Sequence, residues 1–388
     1  MPNTELLWSR VSSLLAPGVS SGLLVSASLV AALSGCSQDS SVGQRPAAVV
    51  YGDDDRTDVY AHPDASLRTL ASASIVALMD SASLTENEDG TFTRDETLSH
   101  GEAYGLCDDQ RFIDQPISAF CSGTLIAPDI IVTAGHCVED MSDCLGTSLV
   151  FDYLYTADGE LAELEADDVY DCIDILAREN DAIDYAVLRL DRPVVGHSPV
   201  ALSAGLGDTC RNVAEDDAVS VLGFGAGLPL KIDDGGNVTD PSTRGTYFFE
   251  TSLDTFGGNS GSGVFNDDGE LVGVLSAGAT DYVTRAGESC DEVNVLAESE
   301  GREEIGHLLP VLYDYCDEAT DPDADLCDVV EAGCPNGPDG DGGPTDPSDG
   351  SSCTVSAPGS QGPGVLLALM SLVGLVLGRR ARRSRSAV

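Results

Sequence analysis

Three short segments of the sequence carry a histidine, an aspartate and a serine in settings where they could do chemistry together. A serine hydroxyl is a weak nucleophile at neutral pH, a histidine can accept its proton, and a carboxylate can hold that histidine in one tautomer. The candidates are His136, Asp184 and Ser260, in that order along the chain. Such a set would hydrolyse acyl bonds, and we expect it to need no cofactor and no metal ion.

The histidine follows a pair of apolar segments. Phe120–Ile126 and Ile130–Thr133 are typical of strands, and a turn of small residues then delivers His136. A single histidine is more often structural than catalytic, but the chain has only five and this one stands in a distinctive frame. Cys121 and Cys137 flank the turn and could close a bridge that holds the histidine rigidly.

The surrounding sequence indicates a catalytic role more clearly for the serine than for the acid. Asp184 opens an apolar strand, and taken alone it is better explained as a residue that satisfies local backbone groups. Ser260 lies in a glycine-rich turn, where glycine lets a substrate approach and turns backbone N–H groups inward. A flexible linker is the alternative, but apolar segments on both sides disfavour it. The Gly-x-Ser-x-Gly elbow of esterases is not matched, because Ser262 occupies its last position.

Short apolar runs separated by Gly, Asp and Asn dominate the body of the chain and predict an all-β barrel or sandwich. Eight of these runs are typical of strands: Ser74–Met79, Phe120–Ile126, Ile130–Thr133, Leu149–Tyr153, Ala186–Leu190, Val219–Phe224, Tyr247–Glu250 and Leu271–Ser276. Helical periodicity is scarce before Val295–Tyr315, which predicts a terminal helix despite Gly301, Gly306 and Pro310.

Taken in order, the segments Thr133–Cys137, Asp184–Leu188 and Gly258–Gly263 resemble the chymotrypsin-like serine peptidases, and most of all the bacterial glutamyl-endopeptidase-like branch. A further likeness is Val49–Thr57, which is similar to the mature N-terminal segment of that branch. The resemblance covers about Val49–Leu309. It implies an all-β fold of two six-stranded antiparallel β-barrels followed by a C-terminal helix.

The resemblance also implies a role for each site residue. Ser260 would be the nucleophile, His136 its base and Asp184 the orienting acid, while the N–H groups of Gly258 and Ser260 would form the oxyanion hole. Cys121 and Cys137 would form a disulfide, as in the family. The substrate-binding positions that it implies are Asp254, Ser276, Ala277 and Gly278, with Ser276 close to Asp184.

Three departures bear on activation and specificity. Asn259 stands where animal digestive members carry an aspartate that pairs with a newly released N-terminus, and no Ile-Val-Gly-Gly start is visible. Removal of a pro-segment near Ala48–Val49 stays open. Asp254 lies where trypsin-like members carry a pocket acid, although the bacterial branch often has this aspartate without that preference. The histidine of glutamate-specific members would fall near Leu275, so specificity is either basic or undetermined.

The charge and the cysteines limit the partners and the compartment. The formal net charge is −47, from 66 acidic and 19 basic residues, so we expect no nucleic acid as a partner. Twelve cysteines are typical of an exported protein. Cys36 and Cys353 lie in segments that resemble processing signals, which leaves ten cysteines for up to five disulfides.

The two ends indicate export and attachment to a membrane. Residues 1–36 are typical of a signal peptide, and Leu33–Cys36 resembles a bacterial lipobox in which Cys36 would be lipidated; an ordinary secretory signal is the alternative. Residues 359–388 combine an apolar run with an arginine cluster and resemble the sorting tails of myxobacterial surface proteins, or else a simple membrane anchor. Both ends place the body at the cell surface or outer membrane, with release as an alternative.

Between these ends we expect a linker or pro-segment at 37–48, a peptidase domain at 49–316 and an acidic Asp/Gly/Pro spacer at 317–358. Cys327 and Cys334 could form a small local bridge in that disordered stalk. The sequence therefore predicts a secreted, surface-anchored serine endopeptidase that cleaves polypeptides. The alternative is a catalytically silent surface module that keeps the same fold for binding.

Overall fold

A computed structural model describes residues 49–338, apart from 95–97, 207–209, 246 and 336. The signal segment 1–36 with its lipobox residue Cys36, the linker 37–48, the tail 359–388 and the spacer beyond 338 lie outside the described residues. None of the helices within the described ranges combines the length and the apolar character that crossing a bilayer requires.

Six antiparallel strands close the first barrel. They are β1 (Ile75–Asp80), β2 (Cys121–Ala127), β3 (Ile130–Thr133), β4 (Thr147–Val150), β5 (Val169–Glu179) and β6 (Tyr185–Leu190). Around the ring the order is β5-β6-β3-β2-β1-β4, and β4 closes on β5. Alternate side chains of these strands point inward, so Leu78, Leu125 and Ile131 pack with Leu149 and Leu188 in one apolar core.

Six further antiparallel strands close the second barrel. They are β7 (Ala218–Gly223), β8 (Lys231–Thr243), β9 (Phe248–Thr251), β10 (Gly263–Asn266), β11 (Glu270–Ala277) and β12 (Glu303–His307). The ring runs β11-β10-β7-β8-β9-β12, and β12 closes on β11. Two closed barrels of this kind confirm the fold class that the sequence predicted.

Short elements join and flank the barrels. The helices are α1 (Ala65–Ser74), α2 (His100–Tyr104), α3 (Met141–Leu145), α4 (Leu308–Glu318) and α5 (Ala324–Gly333). The short strands are Val50–Tyr51, Thr57–Asp58, Leu84–Glu86, Thr91–Arg94, Tyr155–Ala157, Glu160–Leu161, Leu164–Glu165, Ala201–Leu202, Tyr282–Thr284, Asp291–Val293 and Val295–Leu296. Of these, Val50–Tyr51 pairs in parallel with Val295–Leu296 and so brings the start of the described chain to the second barrel.

The C-terminal region differs from the sequence-based expectation. The single helix predicted over Val295–Tyr315 is wrong, because Glu303–His307 is strand β12 and the helix α4 begins only at Leu308. Strand β12 bonds to β9 on one side and β11 on the other. The strand conformation of β12 therefore depends on hydrogen-bonded partners that are remote in sequence. Local hydrophobic periodicity contains no signal for such partners.

The ten body cysteines form five disulfides, Cys107–Cys290, Cys121–Cys137, Cys144–Cys172, Cys210–Cys334 and Cys316–Cys327. The local bridge expected between Cys327 and Cys334 is wrong, because Cys327 pairs with Cys316 and Cys334 pairs with Cys210. Cys327 lies within helix α5 and Cys334 directly follows it. The helix falls inside the range 317–358 assigned to the spacer, and it buries Leu326 and Val330. The folded body therefore extends beyond residue 316.

Several groups of the folded protein hold a proton more tightly than they would in water. Burial raises the pKa of Asp281 to about 7 and that of Glu303 to about 8. The hydrogen bond to Asp184 raises the pKa of His136 above its ordinary value. A group whose pKa is higher in the folded state contributes stability that is lost as the pH rises to that folded value.

We therefore expect the free energy of unfolding to fall between pH 6.5 and pH 8, over which these groups give up their protons. His100 and His307, whose pKa burial lowers from 6.5 to about 4, add stability mainly as the pH rises from 4 to 6.5, so they oppose the trend only at the lower edge of this window. Thermal melts at the two pH values check this, with a lower midpoint expected at pH 8. Glu303→Gln should reduce the difference, and a midpoint that is equal or higher at pH 8 would contradict the assignment.

Candidate active site

The turn that carries His136 is shaped by a glycine that approaches neighbouring backbone. It follows the end of β3, and a Cβ atom placed on Gly135 would lie 2.4 Å from the carbonyl oxygen of Glu179 and 3.0 Å from Oδ1 of Asp184. No side chain fits there, so glycine is needed for the histidine turn to reach the acid. The Cys121–Cys137 disulfide ties the far side of the turn to β2.

Asp184 holds both the backbone and the ring of His136. The backbone N–H of His136 donates to Oδ1 at 2.9 Å, and Nδ1 of the ring lies 2.7 Å from Oδ2. The hydroxyl of Ser276 donates to Oδ2 at 2.7 Å. With its amide nitrogen turned toward the carboxylate, Asn180 donates to Oδ1 at 3.0 Å. Four donors from three separate segments thus fix one buried carboxylate.

The electrostatics follow from these bonds. Burial disfavours a charged Asp184, but the hydrogen bonds from His136 and Ser276 outweigh burial and hold its pKa below the ordinary value. The same pairing raises the pKa of His136. Because Nδ1 donates to the carboxylate, the neutral ring presents the lone pair of Nε2 outward. The His136 side chain is 40% exposed, against 12% for Asp184, so the ring faces solvent.

The loop of Ser260 docks on the histidine turn. Its carbonyl oxygen accepts from the N–H of Ser122 at 2.9 Å and lies 3.7 Å from Sγ of Cys137. A Cβ atom placed on Gly261 would lie 2.2 Å from Oγ1 of Thr133. Ser260 and His136 therefore sit on adjoining turns. In the described part of the chain no hydrogen bond joins the Ser260 hydroxyl to the His136 ring, and such bonds often tighten only when substrate binds.

Two peptide groups beside Ser260 are oriented by their carbonyls. Gly258 adopts a φ of 96°, a conformation that favours glycine, and the carbonyl of Gly257 accepts from the N–H of Ala226. The carbonyl of Asn259 accepts from the N–H of Ser262 at 2.8 Å. In a trans peptide the N–H points opposite to the carbonyl, so the N–H groups of Gly258 and Ser260 face the other way.

Neither of these two N–H groups donates to an acceptor within residues 49–338 as described. A pair of free, fixed donors beside a serine hydroxyl is the arrangement that stabilises an oxyanion. The structure thus brings together His136, Asp184, Ser260, Ser276 and Gly258, which the sequence had singled out.

Comparison with known proteins agrees with this arrangement. Residues 121–274 match the family model described as the trypsin-like peptidase domain. Residues 121–274 are thus similar to a trypsin-like peptidase domain. The predicted resemblance and the predicted enzyme class, a serine-type peptidase, are thereby confirmed. The search of the curated proteins found no match.

Solved structures also resemble the peptidase domain. One is a Glu endopeptidase in complex with MPD, with 20% identity and a TM-score of 0.38 over 73% of this chain and 98% of the other. Another is an inactive form of Rv3671c from M. tuberculosis H37Rv, with 14% identity and a TM-score of 0.36 over 69% of this chain and 100% of the other.

The remaining substrate-binding candidates of the peptidase domain have different surroundings. Ser276, Ala277 and Gly278 are partly exposed at the end of β11, beside the triad acid. Asp254 is buried, and its carboxylate accepts from the N–H groups of Tyr51 at 2.7 Å and Asp55 at 3.0 Å. Both oxygens of Asp254 are thus occupied by the chain itself.

Sequence reasoning did not single out two residues that support the site. The hydroxyl of Ser122 donates to the carbonyl of Gly258 at 2.7 Å and accepts from the N–H of Phe224 at 3.0 Å, so it joins three segments. Asn180 contacts Asp184 from the β5–β6 loop. The position of Ser122 beside Cys121 was a usable signal for the first, but nothing local marks Asn180.

We expect Ser276→Ala to lower kcat/KM by about tenfold, because a hydrogen bond to a charged group contributes about 1.5–3 kcal/mol and three donors to Asp184 remain. Hydrolysis of a peptide substrate measures the loss. Ser148→Ala is the control, since that hydroxyl bonds Ser81 and Asp171 on the first barrel. Equal loss in both variants would contradict a specific role for Ser276.

Proposed function

We propose that the protein is a secreted, surface-anchored serine endopeptidase that cleaves peptide bonds through an acyl-enzyme. The observation that carries this proposal is the carboxylate of Asp184, which holds both the N–H and the ring of His136 on a turn against which Ser260 docks. The free N–H groups of Gly258 and Ser260 complete the set.

The first step forms the bond between Ser260 and the substrate. Nε2 of His136 accepts the hydroxyl proton as Oγ attacks the substrate carbonyl carbon, and the carbonyl electron pair moves onto oxygen. The N–H groups of Gly258 and Ser260 stabilise that oxyanion; loss of one such donor typically costs about 10²–10³ in kcat. Asp184 remains charged and stabilises the imidazolium.

The second step breaks the peptide bond. The imidazolium of His136 gives its proton to the leaving amine as the oxyanion collapses, which leaves an ester on Oγ of Ser260. Water then attacks the ester, with His136 again as base, and releases the acid product. Every proton moves through a single ring, so its tautomer and orientation limit both steps.

Export and anchoring are supported by the composition and the ends of the chain. Ten paired cysteines suit an oxidising compartment. The lipobox at Cys36 and the tail 359–388 each offer attachment to a membrane. Cleavage near Val49 would release the body from Cys36, so in that case the C-terminal tail would be the anchor. The acidic body would remain soluble outside the cell.

Substrate preference should not depend on Asp254 as a pocket acid, since the N–H groups of Tyr51 and Asp55 occupy both of its oxygens. The formal net charge of −47 attracts cationic polypeptides over a distance that depends on ionic strength. We infer that any preference for basic substrates arises from this field and weakens as salt is added.

A fluorophosphonate probe should label the wild-type protein at one site, because it reacts only with an activated serine. We expect no labelling of Ser260→Ala or of heat-denatured protein, and full labelling of the control Ser142→Ala, whose serine is exposed on α3. Mass spectrometry of the labelled peptide locates the probe. A well-folded wild type that remains unlabelled would favour the silent binding module.

The pH profile tests the link between His136 and Asp184. The base must be neutral to act, and the hydrogen bond to Asp184 raises its pKa, so kcat/KM should fall on the acid side of a midpoint above 6.5. Asp184→Asn should move that midpoint to lower pH and reduce turnover by about 10⁴. A midpoint that does not move would show that another group controls the acid limb.

A further inference from the structure

The segment Val49–Arg56, here called the clamp segment, has no part in the mechanism given above. It is nevertheless buried at both ends: Val49 and Val50 are 0% exposed, and Tyr51 and Arg56 are 3% exposed. It runs against Asp254–Phe256, immediately before the oxyanion turn. Both ends of the clamp segment are thus packed into the fold beside the catalytic loop.

Backbone groups of the clamp segment fasten it to Asp254 and Thr255. The N–H of Tyr51 donates to Oδ1 of Asp254 at 2.7 Å, and the N–H of Asp55 donates to Oδ2 at 3.0 Å. The N–H of Thr255 donates back to the carbonyl of Val49 at 3.3 Å. One carboxylate therefore bridges two points of the segment, four residues apart in the chain.

Arg56 reaches the next residue of the loop. Its guanidinium lies 3.8 Å from the ring centroid of Phe256, and Asp54 balances its charge through a bidentate pair at 2.9 and 2.8 Å. A desolvated cation over an aromatic ring is worth about 2 kcal/mol. The N–H of Phe256 in turn donates to Oδ1 of Asn259 at 3.0 Å, across the turn that contains Gly258.

Tyr51 extends the contact to Glu303 at the start of β12. Its hydroxyl donates to Oε1 of Glu303 at 3.0 Å, while the hydroxyl of Thr255 donates to the other oxygen. A Cβ atom on Gly278 would overlap the Glu303 carboxyl, so that carboxyl lies directly behind the substrate-binding strand. The clamp segment thus contacts both the oxyanion loop and a group behind Gly278.

We propose that the clamp segment positions the oxyanion turn for catalysis, with Arg56 and Asp254 as positioning residues. This inference rests on the proposed peptidase activity. The donors to Asp254 are amide N–H groups of internal residues, so docking requires no free α-amino group. Asp254, a substrate-binding position by the family resemblance, instead acts through Phe256 and Gly258.

The local bonding of Asn259 agrees with this assignment. The amide oxygen of Asn259 accepts from Phe256, and its nitrogen donates to the hydroxyl of Ser262 at 3.2 Å. The Asn259 side chain is neutral, and both of its ends already bond inside the turn. It therefore has neither the charge nor a free acceptor that an incoming ammonium group would need. The turn is held instead by the cation of Arg56 and the carboxylate of Asp254.

The test uses the full chain with Arg56→Gln and, separately, Asp254→Asn. We expect kcat to fall about 10²-fold, the effect of a misplaced oxyanion donor, with KM changed less than about threefold. Arg56→Lys keeps the charge and should recover part of kcat. Hydrogen exchange of residues 254–260, followed by mass spectrometry, should become faster in Arg56→Gln and Asp254→Asn.

Arg192→Gln is the matched control, because its guanidinium also covers a ring, at 4.0 Å from Tyr170, and pairs with Asp191 away from the site. Its kcat and its exchange at 254–260 should equal those of the wild type. Folded Arg56→Gln and Asp254→Asn proteins with wild-type kcat and wild-type exchange would overturn the proposal.

Two further measurements test the proposal if the variants do not fold or if the wild type is inactive. If both variants fail to fold, Tyr51→Phe removes the hydroxyl with its bonds to Glu303 and to the N–H of Arg302; it should lower kcat severalfold and speed exchange at 254–260, and no change in either overturns the clamp. If wild-type protein proves inactive, the proposed function fails, yet exchange still decides the clamp: equal rates in wild type and Arg56→Gln would refute it.

Discussion

A carboxylate buried beside a histidine can stay charged only if hydrogen bonds replace the water that it has lost. Asp184 meets that condition with donors from His136, Ser276 and Asn180, and most features of the site depend on it. The donors come from the histidine turn, the second barrel and the β5–β6 loop. The two barrels must therefore pack in one relative arrangement for the acid to be charged, and this couples the folding of both to the basicity of one imidazole.

The second requirement is that two N–H groups beside Ser260 remain without a protein acceptor. A buried N–H group without an acceptor is energetically costly, so the other hydrogen-bonding groups around it must be satisfied. Ala226 and Ser262 take the neighbouring carbonyls, and Ser122 takes that of Gly258. The bonds from Ala226 and Ser262 turn two peptides so that the N–H groups of Gly258 and Ser260 face the cleft. The oxyanion site is thus made by satisfying every other backbone group nearby.

Much of this could be predicted from the sequence because its signals were local. The eight apolar runs fall on barrel strands, and the three motif segments supplied His136, Asp184 and Ser260. Four barrel strands were missed, and β8 shows why: Lys231–Thr243 reads as a polar, glycine-containing loop, yet it pairs with both β7 and β9. Strands of this kind gain their stability from cross-strand partners rather than from their own apolar pattern.

Asp254 shows a different limit of sequence reasoning. The family resemblance implied that Asp254 would lie near the substrate, but the role of this carboxylate depends on which donors reach it. A pocket acid needs oxygens open to an incoming cation, whereas here the N–H groups of Tyr51 and Asp55 use both. Those donors lie about 200 residues earlier in the chain. Because a buried carboxylate accepts hydrogen bonds from whichever donors replace its lost water, the same aspartate can recognise substrate in one protein and anchor backbone in another.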